Sequence, residues 1–131
     1  MQKYNFRLRR VLDIRKVVQD IRRREMAQAA RKLEQENDVL RGMNKNLGAA
    51  YDHISSRTRG TFMISELKAH YSYVGLLENG MKRQQLKIDE AAHEVHQANE
   101  KLVNAYRDRE IISRLEDHYR ESFKETVLKE E

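Results

Sequence analysis

The chain has 131 residues, enough for one domain and too few for two of ordinary size. With 39% apolar and 36% charged residues it cannot build a thick globular core, and with no Cys it has no disulfide, thiolate metal site or cysteine nucleophile. Pro is also absent, while Ala, Glu, Lys, Leu and Arg supply 62 residues, a composition that suits long unbroken helices.

The net charge of +5 is unevenly spread: residues 1–24 hold nine basic and two acidic side chains, residues 108–131 five basic and eight acidic. A basic start and an acidic end suit ends that meet, or a basic footprint for an acidic partner. Behind Lys3, Arg7, Arg9 and Arg10 there is no apolar run, and no stretch of the chain approaches 18 uncharged apolar residues. The expected location is therefore the cytoplasm or the cytoplasmic face of a membrane.

The first helix is expected over about 5–55. Val11, Ile14, Val18 and Ile21 keep 3-4-3 spacing. Met26, Leu33, Leu40, Leu47 and Ile54, interleaved with Ala30, Asn37, Asn44 and Tyr51, form a heptad ladder one residue out of step with them, so a stutter is expected near Arg22 to Glu25. Asn37 and Asn44 at core positions are expected to fix register at some cost in stability.

Ser55-Ser56-Arg57-Thr58-Arg59-Gly60-Thr61 is a small polar cluster around a Gly, the apex of a hairpin, with its loop over about 56–63. Ser65, followed by acidic Glu66, is the expected cap of the second helix, which runs over about 64–128. Its ladder is strict: Leu67, Val74, Met81, Ile88, Val95, Leu102, Arg109, Glu116 and Phe123 fall every seven residues, seven of the nine apolar. Three residues on lie His70, Leu77, Gln84, Ala91, Ala98, Ala105, Ile112, Tyr119 and Thr126, with Ala in the middle to let helices approach closely. A two-in-seven stripe is not buried alone. The expected fold is all-α, two long helices in an antiparallel coiled-coil hairpin, rod-shaped, with 1–131 as a single domain and the last dozen residues overhanging the start of the first helix. Gly75 and Gly80 weaken the second helix locally, and Tyr73 and Leu76 beside them are expected to point outward as a docking patch.

Little in the sequence suggests catalysis. His93 and His96 lie three apart with Glu90 one turn before, but they flank the seam and read as solvated side chains rather than as the HExxH zinc motif, so no metal is expected. Gly42, Gly48, Gly60, Gly75 and Gly80 are scattered and form no phosphate loop, so no cofactor is expected. Two long helices offer no water-excluding pocket, and the chain is not expected to be an enzyme. The basic run from Arg7 to Arg24 has Tyr4 and Phe6 beside it, which leaves nucleic acid as a minor reading. A solvated face or an acidic protein partner explains it more simply, and no nucleic acid is expected.

The opening Tyr4-Asn5-Phe6-Arg7-Leu8-Arg9-Arg10-Val11-Leu12-Asp13-Ile14-Arg15 resembles the F-x-L-x-x-V-L-x-hydrophobic-R start of the FliJ family of flagellar export proteins. Glu66-Leu67, Tyr71-Ser72-Tyr73-Val74, Leu77, Met81 and Gln84-Gln85 resemble the block that opens the second helix of that family, and Leu102 to Glu131 resembles its charged, Leu/Tyr-spaced tail. The resemblance implies an antiparallel hairpin similar to the central stalk of rotary ATPases. It further implies that the chain binds and activates the hexameric export ATPase FliI, contacts the cytoplasmic domain of the gate protein FlhA, and assists export chaperones, with peripheral membrane association through that apparatus. The gate-binding stripe it implies falls on Tyr73, Leu77, Gly80 and Gln84, with Leu47 and Tyr51 from the first helix. The ATPase-binding end it implies comprises Phe6, Leu8, Arg9, Arg10, Leu12 and Arg15 with Ile112, Tyr119 and Phe123. The equivalent stalk of a virulence type III secretion system and a basic coiled-coil binder of nucleic acid or membrane surfaces are the alternatives.

Overall fold

The structure is a computed structural model that describes residues 4–57 and 63–130. Two α-helices account for nearly all of these, α1 (Arg9–Arg57) and α2 (Ile64–Glu130), and no strand occurs among the described residues, so the fold is an all-α helical hairpin. Of the expected apex, residues 58–62 lie outside the described residues. The helices divide by their contacts into two compact units. A terminal unit contains Met1–Gln28 and His96–Glu131, and an apex unit contains Ala29–Val95. Within each, α1 and α2 lie side by side and antiparallel.

Along α2 the seam lies where its heptad spacing places it. Every residue of the row from Leu67 to Phe123 is buried or half-buried, as is the second row from His70 to Ile112; Tyr119 and Thr126 are exposed. Ala91 and Ala105 are among the most buried, because a small side chain lets the facing backbone come close.

The seam of α1 departs from expectation twice. In the terminal unit the inward row is Leu12, Gln19 and Met26, in step with Leu33 and Leu40 farther along the helix, and there is no stutter. Of the expected row, Val11 and Val18 are half-buried beside Leu12 and Gln19, whereas Ile14 and Ile21 are 56% and 44% exposed. A polar residue takes the core place because Arg109, on the α2 row, requires an acceptor there; its Nη1 donates to Gln19 Oε1 at 2.7 Å.

In the apex unit Leu33, Leu40, Leu47 and Ile54 face inward as expected, but the row beside them is Glu36, Met43 and Ala50, one residue earlier than Asn37, Asn44 and Tyr51. Asn44 and Tyr51 are exposed, and the polar layer belongs to another pair. Gln84, 4% exposed, donates from Nε2 to the Glu36 carbonyl at 2.9 Å and to its Oε2 at 2.8 Å.

α2 starts one residue after Met63, whose carbonyl accepts from the amides of Glu66 (3.0 Å) and Leu67 (3.2 Å). Ser65 therefore lies inside the first turn rather than capping it. Glu66 sits at the positive end of the helix dipole and pairs at 3.1 Å with Arg57, the basic residue closing α1 at its negative end.

Candidate functional site

The distinctive surface is in the terminal unit, where the segment before α1 folds along the end of α2. Residues 4–8 are not yet helical; the Arg9 amide donates back to the Phe6 carbonyl at 3.1 Å and the Leu12 amide to Leu8 at 2.9 Å, which starts the helix. Phe6 is thereby turned inward, 6% exposed, with its ring 6.1 Å from that of Tyr119. Tyr4 reaches farther, 5.6 Å from the Phe123 ring, and its hydroxyl donates to the Glu116 carbonyl at 3.2 Å. Tyr119 and Phe123 are one turn apart on α2, so two aromatic pairs stack in register along one helix face. This segment shortens the overhang expected at the end of α2.

Glu116 organises the charges of this end. Its side chain is 9% exposed and accepts from Arg9 Nη1 and from Arg120 Nη2, each at 3.0 Å on Oε1. Arg120 also stands 5.3 Å over the Tyr4 ring. Arg15 pairs with Asp108 at 3.4 Å. The basic start and acidic end of the chain do meet, through these cross-helix pairs.

Between the segment and the helix runs a groove of about 700 Å³, lined by Tyr4, Phe6, Leu8, Tyr119 and Phe123 together with polar Asn5, Ser122 and Thr126 and the cation of Arg7. Aromatic rings, hydroxyl and amide groups and one guanidinium thus line a single recess.

Of the residues expected to face the ATPase, the structure brings Phe6, Leu8, Tyr119 and Phe123 together around this groove. Leu12, 2% exposed, and half-buried Ile112 are instead part of the helix seam and do not line the groove. Arg9 and Arg15 are engaged with Glu116 and Asp108, so their charge is already answered within the unit. Arg7 and Arg10 are exposed and have no ionic partner among the described residues. Tyr4, Glu116 and Arg120 were missed as site residues, although a Glu in an apolar ladder signals a cation across from it.

The expected gate stripe belongs to the apex unit, where the structure separates its members. Tyr73 is exposed, as is Leu76 (69%) beside it; Leu77 and Leu47 are half-buried in the seam, and half-buried Gly80 lies beside the seam rows rather than on them. Gln84 cannot serve as a docking residue, because it faces α1 and both its hydrogen bonds go to Glu36. Tyr51 is exposed and donates to Glu78 Oε1 at 2.9 Å. That hydrogen bond first, then desolvation and the adjacent carboxylate charge, hold the phenol above its ordinary pKa. Tyr73 also borders a shallow cavity of about 280 Å³ beside His53 and His70, whose rings lie 4.8 Å apart.

His96 pairs with Glu100 at 3.0 Å. No group of three or more metal-ligating side chains comes together among the described residues, and none of their helices is long and apolar enough to cross a membrane.

The sequence model of one family, described as Flagellar FliJ protein, matches residues 3–131. The chain belongs to the FliJ family, and is thereby a component of flagellar type III export, a family whose members are not themselves catalysts. Comparison with curated proteins and with solved structures gives no match.

Proposed function

We propose that the chain is the stalk of the flagellar export ATPase: its terminal unit enters the central opening of the FliI hexamer and raises hydrolysis by stabilising the ring. The observation that carries this reading is the aromatic groove between residues 4–8 and Tyr119–Phe123, rimmed by Arg7 and with exposed Arg10 nearby. A recess with aromatic walls beside cations lacking acidic partners is complementary to a partner that presents an apolar side chain among carboxylates. Binding that prefers the hexamer to separate subunits drives assembly by mass action, and turnover rises with no catalytic group from this chain.

In the same reading the exposed part of the apex unit, Tyr73 and Leu76 with Tyr51 across the seam, contacts the cytoplasmic domain of FlhA. The chain thus links ATPase to gate and helps chaperone-bound substrates enter export, at the cytoplasmic face of the inner membrane at the flagellar base. Exposed apolar groups on so polar a protein support docking there.

Sedimentation velocity of FliI with and without the chain tests the stalk. The reading requires the hexamer to appear at a lower FliI concentration when the chain is present and the chain to co-sediment with it. A FliI association curve unchanged by saturating chain contradicts it.

A further inference from the structure

The large apolar residues that α1 leaves exposed in the terminal unit lie on one stripe. Arg10, Ile14, Val17, Ile21 and Arg24 follow one another at spacings of four, three, four and three along α1, the a/d spacing of a coiled coil. All five are exposed; Ile14, Val17 and Ile21 are 56%, 57% and 44% exposed and all β-branched. The stripe extends over about 21 Å at 1.5 Å per residue. Its two ends are cationic, while Asp13 and Asp20 flank Ile14 and Ile21. Among neighbouring cations, Arg15 pairs with Asp108, Arg22 with Glu25 and Arg23 with Asp20, whereas Arg10 and Arg24 at the two ends of the stripe have no ionic partner among the described residues.

We propose that this face is a docking seam for one amphipathic helix of a partner protein, apolar at its middle a and d positions and acidic at both ends. Three apolar knobs bracketed by arginines match that occupant in spacing and in charge. A second copy of the chain fits poorly. Packed antiparallel against its own copy about a two-fold axis, the stripe sets Arg10 of each copy against Arg24 of the other and brings like charges together. A bilayer surface fits poorly as well, because a helix lying in a membrane interface needs a broad apolar face with large side chains, and this one is two residues in seven. The inference shares Arg10 with the stalk reading but not the aromatic groove, so it is tested through Ile14, Ile21 and Arg24, which that reading does not use.

The probe is a labelled helical peptide of about three heptads with Leu at its central a and d positions and Glu at the outer ones, titrated with the full chain by fluorescence anisotropy. The expected result is saturable one-to-one binding, weakened at least about tenfold by Ile14→Ser/Ile21→Ser and also by Arg24→Glu. Both variants change exposed side chains, and circular dichroism of each confirms that the helices persist; Arg24→Glu alone decides if the double variant does not fold. Undetectable binding of the probe, or equal binding by wild type and Arg24→Glu, overturns the proposal. So does self-association in sedimentation equilibrium that Ile14→Ser/Ile21→Ser abolishes, which assigns the stripe to a second copy. Stripe-dependent binding to vesicles with about one-quarter anionic lipid, with no binding of the peptide, overturns it in favour of a membrane.

Discussion

Gln19 and Arg109 meet inside the terminal unit, the guanidinium donating from Nη1 to the amide Oε1 at 2.7 Å, with Gln19 1% exposed. This pair sets which face of α1 turns inward, and it does so against the hydrophobicity of the residues around it. Replacing Gln19 by Ala leaves the half-buried guanidinium without its acceptor, and the expected loss is about 1–3 kcal/mol. Replacing both residues by Leu removes the polar demand along with its supply, and is expected to recover most of that loss. Urea unfolding of the two variants, followed by circular dichroism, reads both values.

The exposed Tyr51 hydroxyl donates to Glu78, and its pKa is raised above the ordinary value. A raised folded pKa favours the neutral phenol, so the contact contributes below the ordinary tyrosine range, near pH 10, and is lost as pH rises through the raised value. Spectrophotometric titration is expected to show one tyrosine ionising later than an unperturbed phenol, and Tyr51→Phe to remove that late component. A titration unaltered apart from the loss of one ordinary tyrosine contradicts the assignment.

Gly75 and Gly80 lie inside α2 without positive φ. A methyl group at Gly75 meets nothing within 4 Å, and at Gly80 only the flexible tip of Arg83 at 3.9 Å. Each change to Ala is therefore expected to stabilise the protein by about 0.5–1 kcal/mol, chiefly by restricting the unfolded chain. Thermal unfolding of the single variants checks it; a fall in Tm for Gly75→Ala would show a constraint at that position beyond helix geometry.

Glu116 carries two arginines on one carboxylate, while Tyr4 holds its main-chain carbonyl. The arginines are about half exposed and can turn to water, so Glu116→Gln is expected to cost only about 1–2 kcal/mol. Its local effect is larger: without the Arg9 tie, the Arg9 and Leu12 amides that anchor the start of α1 are expected to exchange hydrogen faster than those at mid-helix. Exchange mass spectrometry of peptides covering residues 4–15 reads this directly.

The α2 seam was legible because apolar residues and Ala occupy its ladder at strict heptad spacing, and packing obeyed that spacing even at Gln84, Arg109 and Glu116. The start of α1 was not legible by the same rule. There the most hydrophobic row, Ile14 and Ile21, lies outside, while the true row holds Gln19, whose suitability depends on a partner ninety residues away. The one-residue error at Asn44 and Tyr51 has the same origin; Asn37 is half-buried, but it is Glu36 beside it that Gln84 meets. Polar core residues are specified by pairs, and one helix read alone shows half of each pair. At the terminal end the aromatic residues around the groove were visible in sequence. That Arg9 and Arg15 are tied to Glu116 and Asp108, leaving Arg7 and Arg10 as the exposed cations, was not.

The central claim is that the terminal unit activates the export ATPase, and steady-state ATP hydrolysis by FliI titrated with the chain tests it most directly. Wild type is expected to stimulate with saturation near about one chain per six subunits. Arg10→Glu/Tyr119→Ala, which alters exposed groups at the docking end, is expected to raise the half-maximal concentration at least about tenfold, whereas Tyr73→Ala/Leu76→Ala in the apex unit leaves the titration as it was. Full stimulation by Arg10→Glu/Tyr119→Ala, or no stimulation by wild type, contradicts the claim.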